Sequence, residues 1–412
     1  MSTVKISTGH EGSVKEQVSA YVQRVKSGDM GALPAISALL VLTILFAVAQ
    51  PDYFLKPLNI ANLFVQGAEL TMLAAAMVFV ILTAEIDLSA GVTGGVAMAI
   101  FFRLLQGGMF WVAALLLALF VGCLVGFVIG FFVAKIGVPS FVVSLAFYLG
   151  FQGLQLVLLG EGGLFKVDVP AINAIMNQNL SPIQGWLFLV AALILAFCLN
   201  LYDRRRRSTY GLPNRPFALV ISKFGAYLVL GGVMVSVMNV NRSANAFMPI
   251  QGVPIVIPVA LGILLIGSLI LDRSRFGRHL YAVGGNPEAA RRAGIKVAKV
   301  RIISFVICSG LAVISGLFHV SRLGAVEATA GRQIVLSGVA AAVVGGVSLF
   351  GGKGRLMHAA IGAMVITVIS NGLGLLGWDA GSNFLVTGAV LLLAATVDAL
   401  SRKRSASSQV RV

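Results

Sequence analysis

The chain is cut into apolar runs about as long as a bilayer is thick, and nothing else in it limits the fold so strongly. Twelve runs stand out: 36–50, 64–83, 88–105, 110–134, 138–159, 185–201, 216–238, 254–271, 302–320, 334–349, 356–376 and 384–400. About 20 apolar residues in a helix cross the hydrocarbon core. Inside that core only helices and closed barrels satisfy every backbone amide and carbonyl. The runs are continuous rather than alternating, so they read as helices. Of the residues, 58% are hydrophobic and 11% charged, against about 25% charged in a soluble domain. The expected fold class is an all-α polytopic membrane protein. Run 36–50 is short, and runs 88–105 and 334–349 are rich in Gly and Ala. Either of the latter two reads as a broken or re-entrant element, which is tolerated only where protein buries it.

The net charge of +16 does not point to nucleic acid, because the basic residues follow membrane topology. With both termini cytoplasmic, only Lys56, Arg103, Lys166, Arg242, Arg322 and Arg332 of the 31 Lys and Arg residues fall outside. That asymmetry sets the orientation and requires an even number of crossings. Residues 1–33 form a cytoplasmic N-terminal segment, 34–401 the transmembrane domain and 402–412 a basic cytoplasmic tail. Val14, Val18, Tyr21, Val22 and Val25 recur at helical spacing beside Lys15, Arg24 and Lys26. They suit either a helix lying on the inner membrane surface or a solvated tail. The longest outside loop is 160–184, and the largest inside loops are 202–215 and 272–301. Cys123, Cys198 and Cys308 lie within apolar runs, and the four histidines have no ligand spacing. Neither a metal nor a cofactor is expected.

Gly122, Gly126 and Gly130 share one helix face, where they would admit a neighbouring helix backbone. Tight contact within the chain is the simpler reading, and a subunit interface the other. Glu85 and Asp87 read as the only carboxylates bordered by apolar sequence on both sides for a full span, and such acids suggest function. Asp87 and Ser89 sit where a helix resumes, so capping is their simplest role. Ser140, after Pro139, also reads as a helix start. All four, Glu85, Asp87, Ser89 and Ser140, are candidates for a translocation path or gate. "AEIDLSAG" (84–91) and "GVSLFGGKG" (346–354) are too dissimilar to define an internal repeat.

The most polar interruption in the second half is "GGNPEAARRAGIK" (284–296). Asn286 is a good N-cap, Pro287 suits the first helical position, and Glu288 complements the helix dipole. Ala289, Ala290 and Ala293 favour helix, and Gly294 can stop it in the left-handed conformation. A helix of about two turns is marginal alone, so it needs a surface to pack on. That surface is either the chain's own spans or a cytoplasmic partner.

"EAARRAG" (288–294) resembles the coupling loop of ABC-importer permeases. "MVFVILTAEIDLSAG" (77–91), "VPSFVVSLAFYLGFQG" (138–153), "RFGRHLYAVGGNPEAARRAGI" (275–295) and "GGVSLFGGKG" (345–354) extend the likeness. Together they resemble the permeases of monosaccharide ABC importers, the ribose, arabinose, galactose and xylose group, and the xylose type most of all. The resemblance covers 64–159 and 272–400. It departs at "IVLSGVAA" (334–341), where Val335 and Ser337 stand in place of the family's acids. It implies a multi-pass permease of the cell (inner) membrane with a type II-like architecture, translocating a monosaccharide. It implies that Asn286, Pro287, Glu288, Ala289, Ala290 and Gly294 couple to separate ABC ATPase subunits. It also implies a second permease copy, as a homodimer, and an extracytoplasmic sugar-binding protein. The chain has no GxxxxGK[ST] phosphate loop, so it is expected not to be an enzyme. The alternative is a proton- or sodium-coupled secondary sugar transporter using Glu85 or Asp87.

Overall fold

The computed structural model describes residues 19, 31–211, 214, 216–243, 245 and 247–409. The five apolar residues of the expected surface helix at 14–25 lie outside them. Helices α1 (Leu33–Ala49), α2 (Pro57–Ile81), α3 (Ala90–Gln106), α4 (Trp111–Phe131) and α5 (Ser140–Leu159) come first. Strand β1 (Leu164–Lys166) and α6 (Pro170–Asn177) precede the long pair α7 (Pro182–Thr209) and α8 (Phe217–Asn239). Next come α9 (Val256–Arg273), α10 (Arg275–Gly285), α11 (Pro287–Arg292) and α12 (Val297–Leu323). Strand β2 (Ala325–Glu327), α13 (Ile334–Val344), α14 (Leu356–Leu375) and α15 (Ala380–Gln409) complete the order. Each of the twelve apolar runs holds a helix. Among the described residues eight helices are long and apolar enough to cross a membrane, and four apolar helices are shorter. The shorter ones include the three runs singled out as short or Gly/Ala-rich.

Residues 31–178 and 254–400 form one unit. Its centre is the antiparallel pair α2 and α12, with Glu69 beside Ser315 and His319 and Glu85 beside Arg301. Each of the two helices leads through a non-helical link, 82–89 or 324–333, into a short helix. α3 lies on α12, where a Cβ at Gly94 would strike the Ala312 carbonyl, and α13 lies on α2, where Gly338 faces Leu73. Next, α4 runs antiparallel on α12, and α14 lies on α2 through paired Asn59 and Asn371 amides at 3.0 Å. The order α2–α3–α4 is thus repeated, in the opposite direction, by α12–α13–α14. This is the inverted arrangement common in transporters. The stretches 84–91 and 346–354 are dissimilar because they are not equivalent parts of this repeat, in which 82–89 corresponds to 324–333.

Most of both links is buried or half-buried, with Ala84, Thr329 and Gln333 exposed, as suits irregular backbone that protein must shield at membrane depth. The backbones of Gly91 at the start of α3 and Gly331 in the second link touch, so neither position has room for a Cβ. The Gly122, Gly126 and Gly130 face seats on α12. A Cβ at Gly126 would strike the Phe305 carbonyl, and one at Gly130 would lie 2.8 Å from the Ile302 Cα. The stripe is therefore occupied within the chain. α4 ends in a π-turn, Phe132–Ile136, stopped by Gly137 at φ +88°.

The loop 160–184 holds structure that composition did not suggest. β1 pairs antiparallel with β2, Leu164 opposite Glu327 and Lys166 opposite Ala325. α6 follows, and the Met176 amide donates to Ser321 Oγ of α12 at 3.0 Å. The α7–α8 hairpin belongs to a separate unit. Its entry is a capping box. Ser181 Oγ accepts from the Gln184 amide, and Gln184 Oε1 accepts from the Ser181 amide at 2.9 Å. Its surfaces are largely bare, with 11% of α7 and 6% of α8 buried over their most apolar windows. α15 continues as helix to Gln409, so the basic tail expected from 402 begins inside a helix.

Candidate functional site

Four of the stretches that carried the resemblance meet at one end of the central helices. The Gly352 amide donates to the Leu82 carbonyl at 3.0 Å, joining the glycine turn 345–354 to the end of α2. Gly284 of α10 lies directly on the same carbonyl, and a Cβ there would stand 2.6 Å from the Gly352 amide nitrogen. Tyr281 Oη donates to the Gly354 carbonyl at 2.7 Å. Burial and the Asp272 carboxylate push this phenol up to about 12, so it stays a donor at physiological pH. Ser140 Oγ accepts from the Ile86 amide at 3.2 Å, and Ser144 Oγ donates to the Ile86 carbonyl at 3.4 Å. Ser140 thus ties the start of α5 to the link after α2. Ala84, in that link, has φ +61°, alone among the described non-glycine residues in the left-handed region.

α10 and α11 project from this junction. α10 buries Gly277, Leu280, Val283 and Gly284 along one face, the i, i+3 stripe of a helix lying on the bundle. α11 has the expected ends. Asn286 Oδ1 accepts from the Ala289 amide at 3.0 Å, and Pro287 holds the first position. At its stop the Ile295 amide donates to Ala290 at 3.0 Å and the Gly294 amide to Arg291 at 2.9 Å. This is the Schellman pattern, with Gly294 at φ +83°. Ala290 is 4% exposed and belongs to the chain's own core. Its part is to seat the helix. The face turned outward carries Glu288, Ala289, Arg291, Arg292 and Ala293. Glu288 is spent on an exposed ion pair with Arg291 at 3.1 Å.

The carboxylates separate into different roles. Glu85, 12% exposed at its side chain, pairs with Arg301 of α12 at 3.1 Å. Asp87 Oδ1 accepts the Ser89 hydroxyl at 2.6 Å and the Ser89 amide at 2.9 Å. Ser89 is the N-cap residue of α3, yet its hydroxyl caps no amide. Asp87 instead fixes the cap residue itself. Its Oδ2 is buried with no hydrogen-bond partner among the described residues. Val335, where the family's acids were expected, is 1% exposed beside Gly91.

Glu85 and Asp87 are not the only such acids. Glu69 lies within α2, 4% exposed. Its Oε1 stands 2.9 Å from His319 Nδ1, and its Oε2 stands 3.1 Å from Arg322 Nη2. His319 Nε2 faces Glu327 Oε1 of β2 at 3.3 Å. Metal-ligand spacing does not mark His319, whose partners are carboxylates on other elements. The usable signal was His319 and Arg322 three residues apart on one helix face, with Glu69 alone in an apolar run. Among the described residues no group of three His, Cys, Asp or Glu side chains could hold a metal ion.

The family described as "Branched-chain amino acid transport system / permease component" matches residues 59–395. The xylose transport system permease protein XylH of Haemophilus influenzae is 32% identical over 392 residues, covering 92% of this chain and 99% of that protein. The Escherichia coli XylH is 33% identical over 391 residues, covering 92% and 95%. The ribose import permease protein RbsC of Bacillus subtilis is 30% identical over 392 residues, covering 95% and 99%. No solved structure matches. With a matched stretch that includes both central helices, the junction and α11, the chain belongs to the permease family of ABC sugar importers and is a multi-pass, non-enzymatic transport subunit.

Proposed function

We propose that the chain is the membrane subunit through which an ATP-driven importer moves a xylose-like monosaccharide. A binding protein delivers the sugar at the ribbon end of α12. ATPase subunits dock at the other end, against α11, and two copies of the chain form the pathway with all termini cytoplasmic. The observation that carries this reading is α11 itself, a capped helix seated by Ala290 whose other face is exposed among the described residues. A neutral sugar needs little affinity in the membrane when a binding protein supplies it. The proton- or sodium-coupled alternative drew on Glu85 or Asp87, but Glu85 is paired with Arg301 and Asp87 holds the start of α3 through Ser89.

The test is sugar uptake by proteoliposomes. Uptake should require the ATPase, ATP and the binding protein, and should not respond to uncouplers at constant ATP. Uptake by the chain alone, driven by a proton gradient, would give the function to the alternative. The orientation is checked separately. Lys166→Cys and Arg292→Cys, beyond opposite ends of α12, should react with an impermeant maleimide from outside and inside the cell respectively. Labelling of both from one side contradicts the topology.

A further inference from the structure

We propose that His319 is a positioning residue for transport: held as an imidazolium between Glu69 and Glu327, it ties the β1–β2 ribbon to the central helices, and the tie opens when the ring loses its proton. The inference goes beyond the importer reading and rests on it for its link to transport.

The geometry sets the protonation. Both ring nitrogens face carboxylate oxygens, Glu69 at 2.9 Å and Glu327 at 3.3 Å. An ionised carboxylate only accepts, and a neutral imidazole has one donor and one acceptor. A neutral ring would therefore set an acceptor nitrogen against an acceptor oxygen. The imidazolium donates to both. The charged groups facing it are Glu69 from α2, Glu327 from β2 and Arg322 from α12. Two anions then balance two cations, and loss of the proton leaves a net negative charge in a largely buried place.

The brace has consequences because of what β2 connects. On one side it pairs with β1, whose Phe165 lies on Phe102 of α3 at 5.5 Å between ring centroids. On the other side it leads into the turn that seats Gly331 on Gly91. A free Glu327 would release the outer ribbon, the surface on which a binding protein would deliver its sugar. The ring is charged at low pH, so the brace holds there and weakens as pH rises through the ring's pKa.

Two variants separate charge from bulk. His319→Gln removes the charge. Glu327→Gln offers an amide N–H that a neutral ring can accept, so the brace should survive deprotonation. In the chain alone, a cysteine replacing the half-buried Phe165 is labelled by maleimide, with Lys166→Cys as the exposed reference at each pH. Relative labelling should rise severalfold between about pH 5.5 and about pH 8.5. It should be high at every pH with His319→Gln, and low at every pH with Glu327→Gln. In the assembled importer, the apparent KM for the sugar-loaded binding protein should follow the same three patterns, with kcat little changed. An unaltered pH profile in either variant overturns the brace. Labelling as expected, in a wild-type chain whose ATPase partner ignores the binding protein, would retain the brace and overturn the importer reading.

Discussion

Gly284→Val is expected to prevent accumulation of the folded protein. A Cβ at this position would strike the Leu82 carbonyl and crowd the Gly352 amide nitrogen at 2.6 Å. Those two groups are hydrogen-bonded to each other at 3.0 Å. The added side chain must therefore separate backbone from backbone, and no side-chain rotation relieves it. Overpacking costs about 1–3 kcal/mol, and a buried donor and acceptor left apart cost about as much again. The sum is a large part of a typical net stability of about 5–15 kcal/mol. The adjacent Gly285→Val is the control, because a Cβ there meets nothing within 4 Å. Yield of monodisperse protein and its thermal midpoint in detergent should fall sharply for the first and stay near wild type for the second. Equal behaviour of the two would mean that the junction tolerates being opened.

Most of the architecture was legible because bilayer length and hydrophobicity are local properties. Each apolar run became a helix, and the Gly/Ala-rich runs 88–105 and 334–349 became the short helices α3 and α13. α11 was legible to the residue, since Asn286, Pro287 and Gly294 each have one physical use at a helix end. The rest depended on contacts between distant parts of the chain. Nothing local to Arg301 says that it meets Glu85, and Glu69 is separated from His319 by 250 residues. The inversion of α2–α4 by α12–α14 lies in direction and neighbours, which residue similarity does not record. Ala290 shows a third limit. Its spacing on α11 was readable, but which face of a two-turn helix turns inward depends on what α10 and α12 place beneath it.

Ala289→Trp should leave the permease folded and remove its ATPase. Ala289 is exposed on α11 while its neighbour Ala290 is 4% exposed. Surface substitutions change stability by about 0.5 kcal/mol or less, so insertion and thermal midpoint should match wild type. An indole on the outward face would instead hold a docking groove away from the helix. Loss of even about 1.4 kcal/mol is a tenfold loss of affinity, and a steric block should exceed that. Ala290→Trp cannot serve, because it would displace α11 from its own bundle before any partner met it. The direct measurement is the affinity of the ATPase for detergent-purified permease carrying Ala289→Trp, beside wild type at matched thermal stability. The complex should be at least tenfold weaker, with no stimulation of ATP hydrolysis by sugar-loaded binding protein. Unchanged affinity and full stimulation would contradict this, and α11 would then be a surface turn with no part in coupling.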